Sequence, residues 1–213
     1  MTREALVPEF GTYLENLVPP RPAELAEMEE IAKKLGFPII GPACGQFCYL
    51  AARTLGARSV FELGSGFGYS TAWFAQAVRD NGGGVVHHVV WDEKLSKRAK
   101  QHLQALGLIE YVEFHVGEAV SALRETGGTF DLIFNDIDKH GYPASLPVIR
   151  DHLRPGGLMI VDNLLWHGGV LDPKDDSDDT KGVRELTRLV MSDPSWIASI
   201  VPLRDGMLIA RKS

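Results

Sequence analysis

Apolar positions along the chain change period several times. Residues 23–35 place them at helical spacing and stop at Gly36, after the break Pro19-Pro20-Arg21-Pro22. A second break at 37–42 precedes a helical pattern at 43–55. From Arg58 the pattern shortens into apolar runs at 59–63, 85–91, 111–116, 130–135 and 158–161. Helical pattern separates these runs, including a helix at 70–78 and a polar one at 93–106. Strands alternating with helices predict a mainly parallel sheet covered on both faces. The end reads differently. Residues 196–203 and 207–211 flank Arg204-Asp205-Gly206, a hairpin signal, so the last strand is expected to run antiparallel to its neighbour.

A chain of 213 residues suits one domain. We expect residues 1–57 to form a helical cap and 58–213 an α/β core. Hydrophobic residues make up 45% and charged residues 23%, which excludes a disordered, collagen-like or coiled-coil chain. No apolar stretch is long enough for a membrane span. MTREALVPEF has no basic region followed by an apolar core, so a cytoplasmic protein is expected. The net charge of −6 disfavours a general nucleic-acid binder. Cys44 and Cys48, the only cysteines, share a helical face and read as small core residues.

The sharpest local motif is Glu62-Leu63-Gly64-Ser65-Gly66-Phe67-Gly68-Tyr69-Ser70. It ends a strand and opens a helix, where glycines permit a tight turn and the helix start offers free N–H groups. The spacing G-x-G-x-G differs from the G-x-G-x-x-G of a pyrophosphate site. Glu62 at the strand end suits an ammonium group, not a pyrophosphate. A ligand with a cationic amino-acid end and a nucleoside fits, and S-adenosylmethionine is the obvious candidate. A carboxylate closing the next strand commonly holds the ribose. Here that is Asp92 or Glu93, although Asp92 also suits a helix N-cap. Glu118 and Ala119, after the third strand, are candidates for the adenine, or simply a helix start.

A second group gathers at strand ends. Asp136 closes one strand, and Asp162 with Asn163 closes a later one. These are hard oxygen donors of the kind Mg²⁺, Mn²⁺ or Ca²⁺ prefers. Lys139 follows Asp136 by three residues. A divalent cation nearby would favour its neutral amine, making it a candidate base. Trp166, on the glycine-containing stretch Trp166-His167-Gly168-Gly169, could cover a flat substrate or belong to the core. His167, His87 and His88 read as structural. The acidic run Asp172, Asp175, Asp176, Asp178 and Asp179 reads as a solvated loop, with a Ca²⁺ site as the alternative.

With these residues in view, the chain resembles a class I S-adenosylmethionine-dependent methyltransferase. More narrowly, it is similar to the metal-dependent caffeoyl-CoA and catechol O-methyltransferase family, in its small bacterial branch. The likeness runs from Gly41-Pro42 and Gly45-Gln46 to Gly206-Met207-Leu208. Its most specific part is Asp136-x-Asp138-Lys139-x-x-Tyr142, then Gly156-Gly157, then Asp162-Asn163-x-x-Trp166. It implies a Rossmann-like fold with a mostly parallel seven-stranded sheet, an antiparallel C-terminal hairpin and helices on both faces. Glu62, Gly64 and Ser70 would bind the methionine end, with Gly66, Gly68, Asp92, Glu118, Ala119 and Asp136 completing the cofactor site. Asp136, Asp162 and Asn163 would hold the divalent cation, and Lys139 would be the catalytic base. Trp166 and Tyr142 would meet the acceptor. Val90 stands where the family usually carries its ribose acid, and Asn135 where an apolar residue is common.

The function these readings imply is metal-dependent O-methylation of a small aromatic with adjacent hydroxyls, by a cytoplasmic homodimer. Methylation of hydroxyuridine in tRNA and non-catalytic binding of an adenosyl ligand are the alternatives.

Overall fold

The computed structural model describes residues 8–213, so expectations for residues 1–7 lie outside the described residues. Three helices come first: α1 (Pro8–Asn16), α2 (Ala23–Leu35) and α3 (Gly41–Leu55). Then β1 (Ser59–Leu63), α4 (Tyr69–Asp80), β2 (Val85–Val90), α5 (Glu93–Ala105), β3 (Val112–Val116), α6 (Ala119–Thr126) and β4 (Phe130–Asn135) alternate. The chain continues with α7 (Tyr142–His152), β5 (Leu153–Val161), α8 (Asp178–Ser192), β6 (Trp196–Val201) and β7 (Met207–Lys212). Glycines in the left-handed conformation at Gly36 and Gly56 stop α2 and α3.

The seven strands lie in the order β3-β2-β1-β4-β5-β7-β6. All neighbours are parallel up to β5; β7 then pairs antiparallel with both β5 and β6. The hairpin expected at the end is therefore present, with its second strand inserted between β5 and β6. Alternation along the central strands separates two cores. Val60, Leu132, Phe134 and Ile160 face Leu25, Met28, Cys44, Cys48 and Phe74 of α2, α3 and α4. Phe61, Ile133, Met159 and Val161 face Leu123, Ile149, Val183 and Leu186 of α6, α7 and α8. Burial on both faces is the usual state of parallel strands joined by helices. Both cysteines are buried, and burial pushes the Cys44 thiol up to about 12.

One expectation needs correction. The acidic run is not only a loop: Ser177 caps α8, and Asp178 and Asp179 form its first turn. Carboxylates there complement the free N–H groups of the helix start. The helix packs through Val183, Leu186 and Val190. Its Gly182 lies so close to the backbone of residues 139–140 that an added Cβ would overlap the Lys139 carbonyl and sit 2.8 Å from His140 Cα. Among the described residues, no helix is long and apolar enough to cross a membrane.

Candidate active site

The strand order reverses between β1 and β4, and in open α/β sheets ligands bind at the carboxyl ends of such strands. Here the two strand ends nearly touch. Asp136 N–H donates to Leu63 O at 2.8 Å, and Gly64 takes φ +86°. A Cβ on Gly64 would lie 2.6 Å from the Asp136 carbonyl, so only glycine lets the loop leave β1 there. Ser65 ties the turn to the next strand. Its N–H donates to Val89 O at 2.9 Å and its Oγ accepts from Val89 N–H at 3.0 Å.

Glu62 is wholly buried beneath this loop. Thr71, in the first turns of α4, donates its hydroxyl to Glu62 Oε2, and the Thr71 Oγ1 itself lies 3.0 Å from His88 Nδ1. Glu62 Oε1 has no protein partner. Burial pushes the Glu62 carboxyl up to about 7, against the pull of the nearby Ser70, Thr71 and Ser65 hydroxyls. Burial also keeps His88 neutral, lowering it to about 3. A buried carboxylate with one free oxygen is poised for a cation or a strong donor.

Two cavities flank Gly64. One, about 230 Å³, is lined by Gly64, Ser65, Gly66, Ser70, Val90 and the 37–40 segment. The other, about 250 Å³, is lined by Gly64, Val90, Trp91, Gly117, Glu118, Ala119 and Asp136. Six of the expected cofactor residues line one or both: Gly64, Gly66, Ser70, Glu118, Ala119 and Asp136. Glu118 also caps α6, accepting from Val120 and Ser121 N–H at 2.9 and 2.6 Å. Two others lie elsewhere. Gly68 starts α4 against α5, where a Cβ would be 2.9 Å from Ala99 Cβ, so it serves packing. Asp92 caps α5, accepting from Lys94 N–H at 2.7 Å, and lines neither cavity. The exposed Trp91 lines the crevice in its place.

A third cavity of about 410 Å³ holds the acidic group. Asp136, Lys139, Asp162, Asn163 and Trp166 all line it, so residues distant in sequence meet there. Lys139 Nζ donates to Asp136 Oδ1 at 2.7 Å and to Ile137 O at 3.2 Å, and lies 6.0 Å from the centre of the Trp166 ring. Asp162 is 1% exposed, with Oδ2 on Arg204 at 2.9 Å and Oδ1 without a partner. Asn163 donates its amide N–H to Asp205 Oδ2 at 3.2 Å, which leaves its carbonyl oxygen free. Burial raises both carboxyls. Lys139 and Arg204 oppose the rise, and Asp136 adds to it at Asp162. The buried Asp162 carboxylate and the partly exposed Asp136 carboxylate, beside an amide oxygen, fit a hard divalent cation.

The loop carrying Asp162 and Asn163 is held by the β6–β7 turn. Leu164 and Leu165 N–H donate to Gly206 O and Asp205 O at 2.9 and 2.8 Å, and His167 N–H to Asp205 Oδ1 at 2.7 Å. Asn163, Trp166 and His167 all have positive φ. Such backbone persists only where surrounding contacts over-determine it. Tyr142 corrects an expectation. It is fully buried and donates its hydroxyl to Asp162 O at 2.8 Å, so it braces the Asp162 backbone and does not line the acidic cavity. Arg204 and Asp205 carried no signal in the sequence beyond a turn. His87 and His115 have facing ring nitrogens 3.0 Å apart, a hydrogen-bonded pair beside Glu113.

The sequence model of a family described as O-methyltransferase matches residues 21–213. A catechol O-methyltransferase of Niastella koreensis is 31% identical over 88% of this chain and 89% of its own. Caffeoyl-CoA O-methyltransferase 5 of Nicotiana tabacum is 28% identical over 95% of this chain and 90% of its own. Among solved structures, an O-methyltransferase from Bacillus cereus in complex with SAH superposes with a TM-score of 0.87. It is 27% identical, covering 96% of this chain and 97% of its own.

Proposed function

We propose a reaction for this chain, which belongs to the O-methyltransferase family: transfer of a methyl group from S-adenosylmethionine to one of two adjacent hydroxyls on a small aromatic. The observation that carries the reading is the position of Asp136. It lines both halves of the glycine-loop crevice and the acidic cavity, so the two ligands would meet across it. Catechol and caffeoyl-CoA enzymes among the relatives support an acceptor of this class.

In this reading Glu62 Oε1 pairs with the ammonium of the methionine end, a charge-assisted bond made where water is excluded. The backbone of Gly64 to Gly66 lets the cofactor lie close against the turn. Asp136, Asp162 and Asn163 would hold a divalent cation, which supplies Lewis-acid polarisation of an acceptor hydroxyl. Lys139, already beside Asp136, accepts the hydroxyl proton. Trp166 covers the aromatic ring. The remaining barrier is lowered by orientation, since the acceptor oxygen is held facing the sulfonium methyl.

The test is transfer of labelled methyl from S-adenosylmethionine to catechols, caffeoyl esters and hydroxyuridine tRNA, with and without chelator. Transfer to a catechol that stops with chelator is the expected result. Transfer to tRNA alone overturns the acceptor class.

A further inference from the structure

Arg204 stands at a strained place in the turn between β6 and β7. Its φ is +51°, a conformation that favours glycine, in a turn where Gly206 adopts φ +86°. Strain of this kind clusters where a side chain is held for a purpose. The guanidinium reaches the acidic cavity and donates through NH1 to Asp162 Oδ2 at 2.9 Å. Among the described residues, its other donors have no protein partner. Asp162 is 1% exposed, whereas the Arg204 side chain remains 34% exposed. Arg204 also lines a neighbouring cavity of about 580 Å³ beside α1 and α2. It therefore stands between the acceptor cavity and a second space.

The charges around it narrow the acceptor. With Lys139 neutral, as its role as base requires, Asp136, Asp162 and Arg204 sum to one negative charge. A divalent cation added to this set leaves a positive excess, which an anionic acceptor would neutralise. Asp138, exposed, and Asp179, partly exposed, also line this cavity, where water screens them. A guanidinium presents several donors in one plane and matches a carboxylate in a two-point contact.

We infer that Arg204 is a specificity-determining residue, which selects an aromatic diol bearing a carboxylate over a neutral one. This rests on the methyltransferase reading and names its acceptor class. The substituent pairs with the free guanidinium donors while the diol oxygens face Lys139 and the oxygen ligands.

The experiment compares 3,4-dihydroxybenzoate with 1,2-dihydroxybenzene, using wild type, Arg204→Met and Arg204→Lys with Mg²⁺. Wild type should prefer the carboxylate in kcat/KM. Arg204→Met should reduce that preference about tenfold or more, chiefly through KM, and Arg204→Lys should restore it in part. A second arm titrates 3,4-dimethoxybenzoate, which cannot react, into SAH-loaded protein by calorimetry. Binding should weaken by a similar factor in Arg204→Met. Equal losses for both acceptors would overturn the inference and leave Arg204 as a clamp on Asp162. Unchanged binding of the dimethoxy acid would overturn it as well. If neither diol is methylated while this binding still depends on Arg204, the failure lies in the proposed reaction and not in the anion contact. Thermal melts establish that both variants fold.

Discussion

Thr71 donates its hydroxyl to Glu62 Oε2, so one side chain in the first turns of α4 fixes the carboxylate at the end of β1. The carboxylate leaves Oε1 without a protein partner and is excluded from water. Both features bear on how binding and stability depend on pH.

Glu62→Gln should weaken S-adenosylhomocysteine binding by about 1.5–3 kcal/mol, the range for a lost charged hydrogen bond. The wild-type carboxyl is raised from 4.5 to about 7 in the ligand-free fold. Its contribution to stability is therefore complete below pH 4.5 and is lost as pH rises through about 7. That difference amounts to roughly 3 kcal/mol. The ligand-free Gln variant should then melt above wild type at pH 8.5, and the gap should narrow at pH 5.5 and close only near pH 4.5. Wild-type affinity should fall as pH drops below about 7, where the carboxylate gains a proton, while the variant stays flat. Melts and calorimetry across this range check both. A gap that does not change with pH would mean that Glu62 is ionised throughout.

Activity should vanish in excess chelator and return with Mg²⁺ or Mn²⁺. Asp162→Ala should fold, because it removes a buried carboxyl whose ionisation burial and the Asp136 charge both oppose. It should bind Mn²⁺ about tenfold or more weakly, since one of three oxygen ligands is gone. Mn²⁺ titration followed by electron paramagnetic resonance reads this without turnover. Full activity in chelator would remove the metal from the mechanism.

Lys139→Met should lower turnover by about 10²–10⁴, the usual span for a general base, with cofactor binding nearly unchanged. Lys139→Arg should not rescue, because a guanidinium stays protonated. Turnover at saturating substrate from pH 6 to 10 is the measurement. An active Arg variant would recast Lys139 as an electrostatic partner of Asp136.

Gly182→Ala tests whether α8 sets the position of Lys139. In an exposed helix this change stabilises by about 1 kcal/mol. Here the new methyl would overlap the Lys139 carbonyl, so we expect destabilisation of about 1–3 kcal/mol and lower turnover. Denaturant melts and kcat give the sign. A more stable, fully active variant would show that the 139–140 backbone gives way freely.

The sequence by itself determined the order of elements, the layered parallel sheet and the glycine turn, because these depend on local period and turn chemistry. Its closing hairpin was legible as two short apolar runs around Arg204-Asp205-Gly206. It also named most residues at the strand ends. Asp136, Lys139, Asp162, Asn163 and Trp166 do line one cavity. The tertiary structure decided what each of them touches. The acidic run hid the start of α8, because carboxylates serve a solvated loop and a helix N-terminus equally well. Tyr142 looked like a site residue by its spacing, yet its hydroxyl is spent on Asp162 O within the core. Asp92 satisfies a helix start two residues away, a local bond that competes with any ligand. Arg204 reaches Asp162 only because β7 inserts between β5 and β6, which brings the turn over the end of β5. Such pairings join residues far apart in the chain. Strand order and side-chain direction fix them, and neither is written in the spacing of a motif.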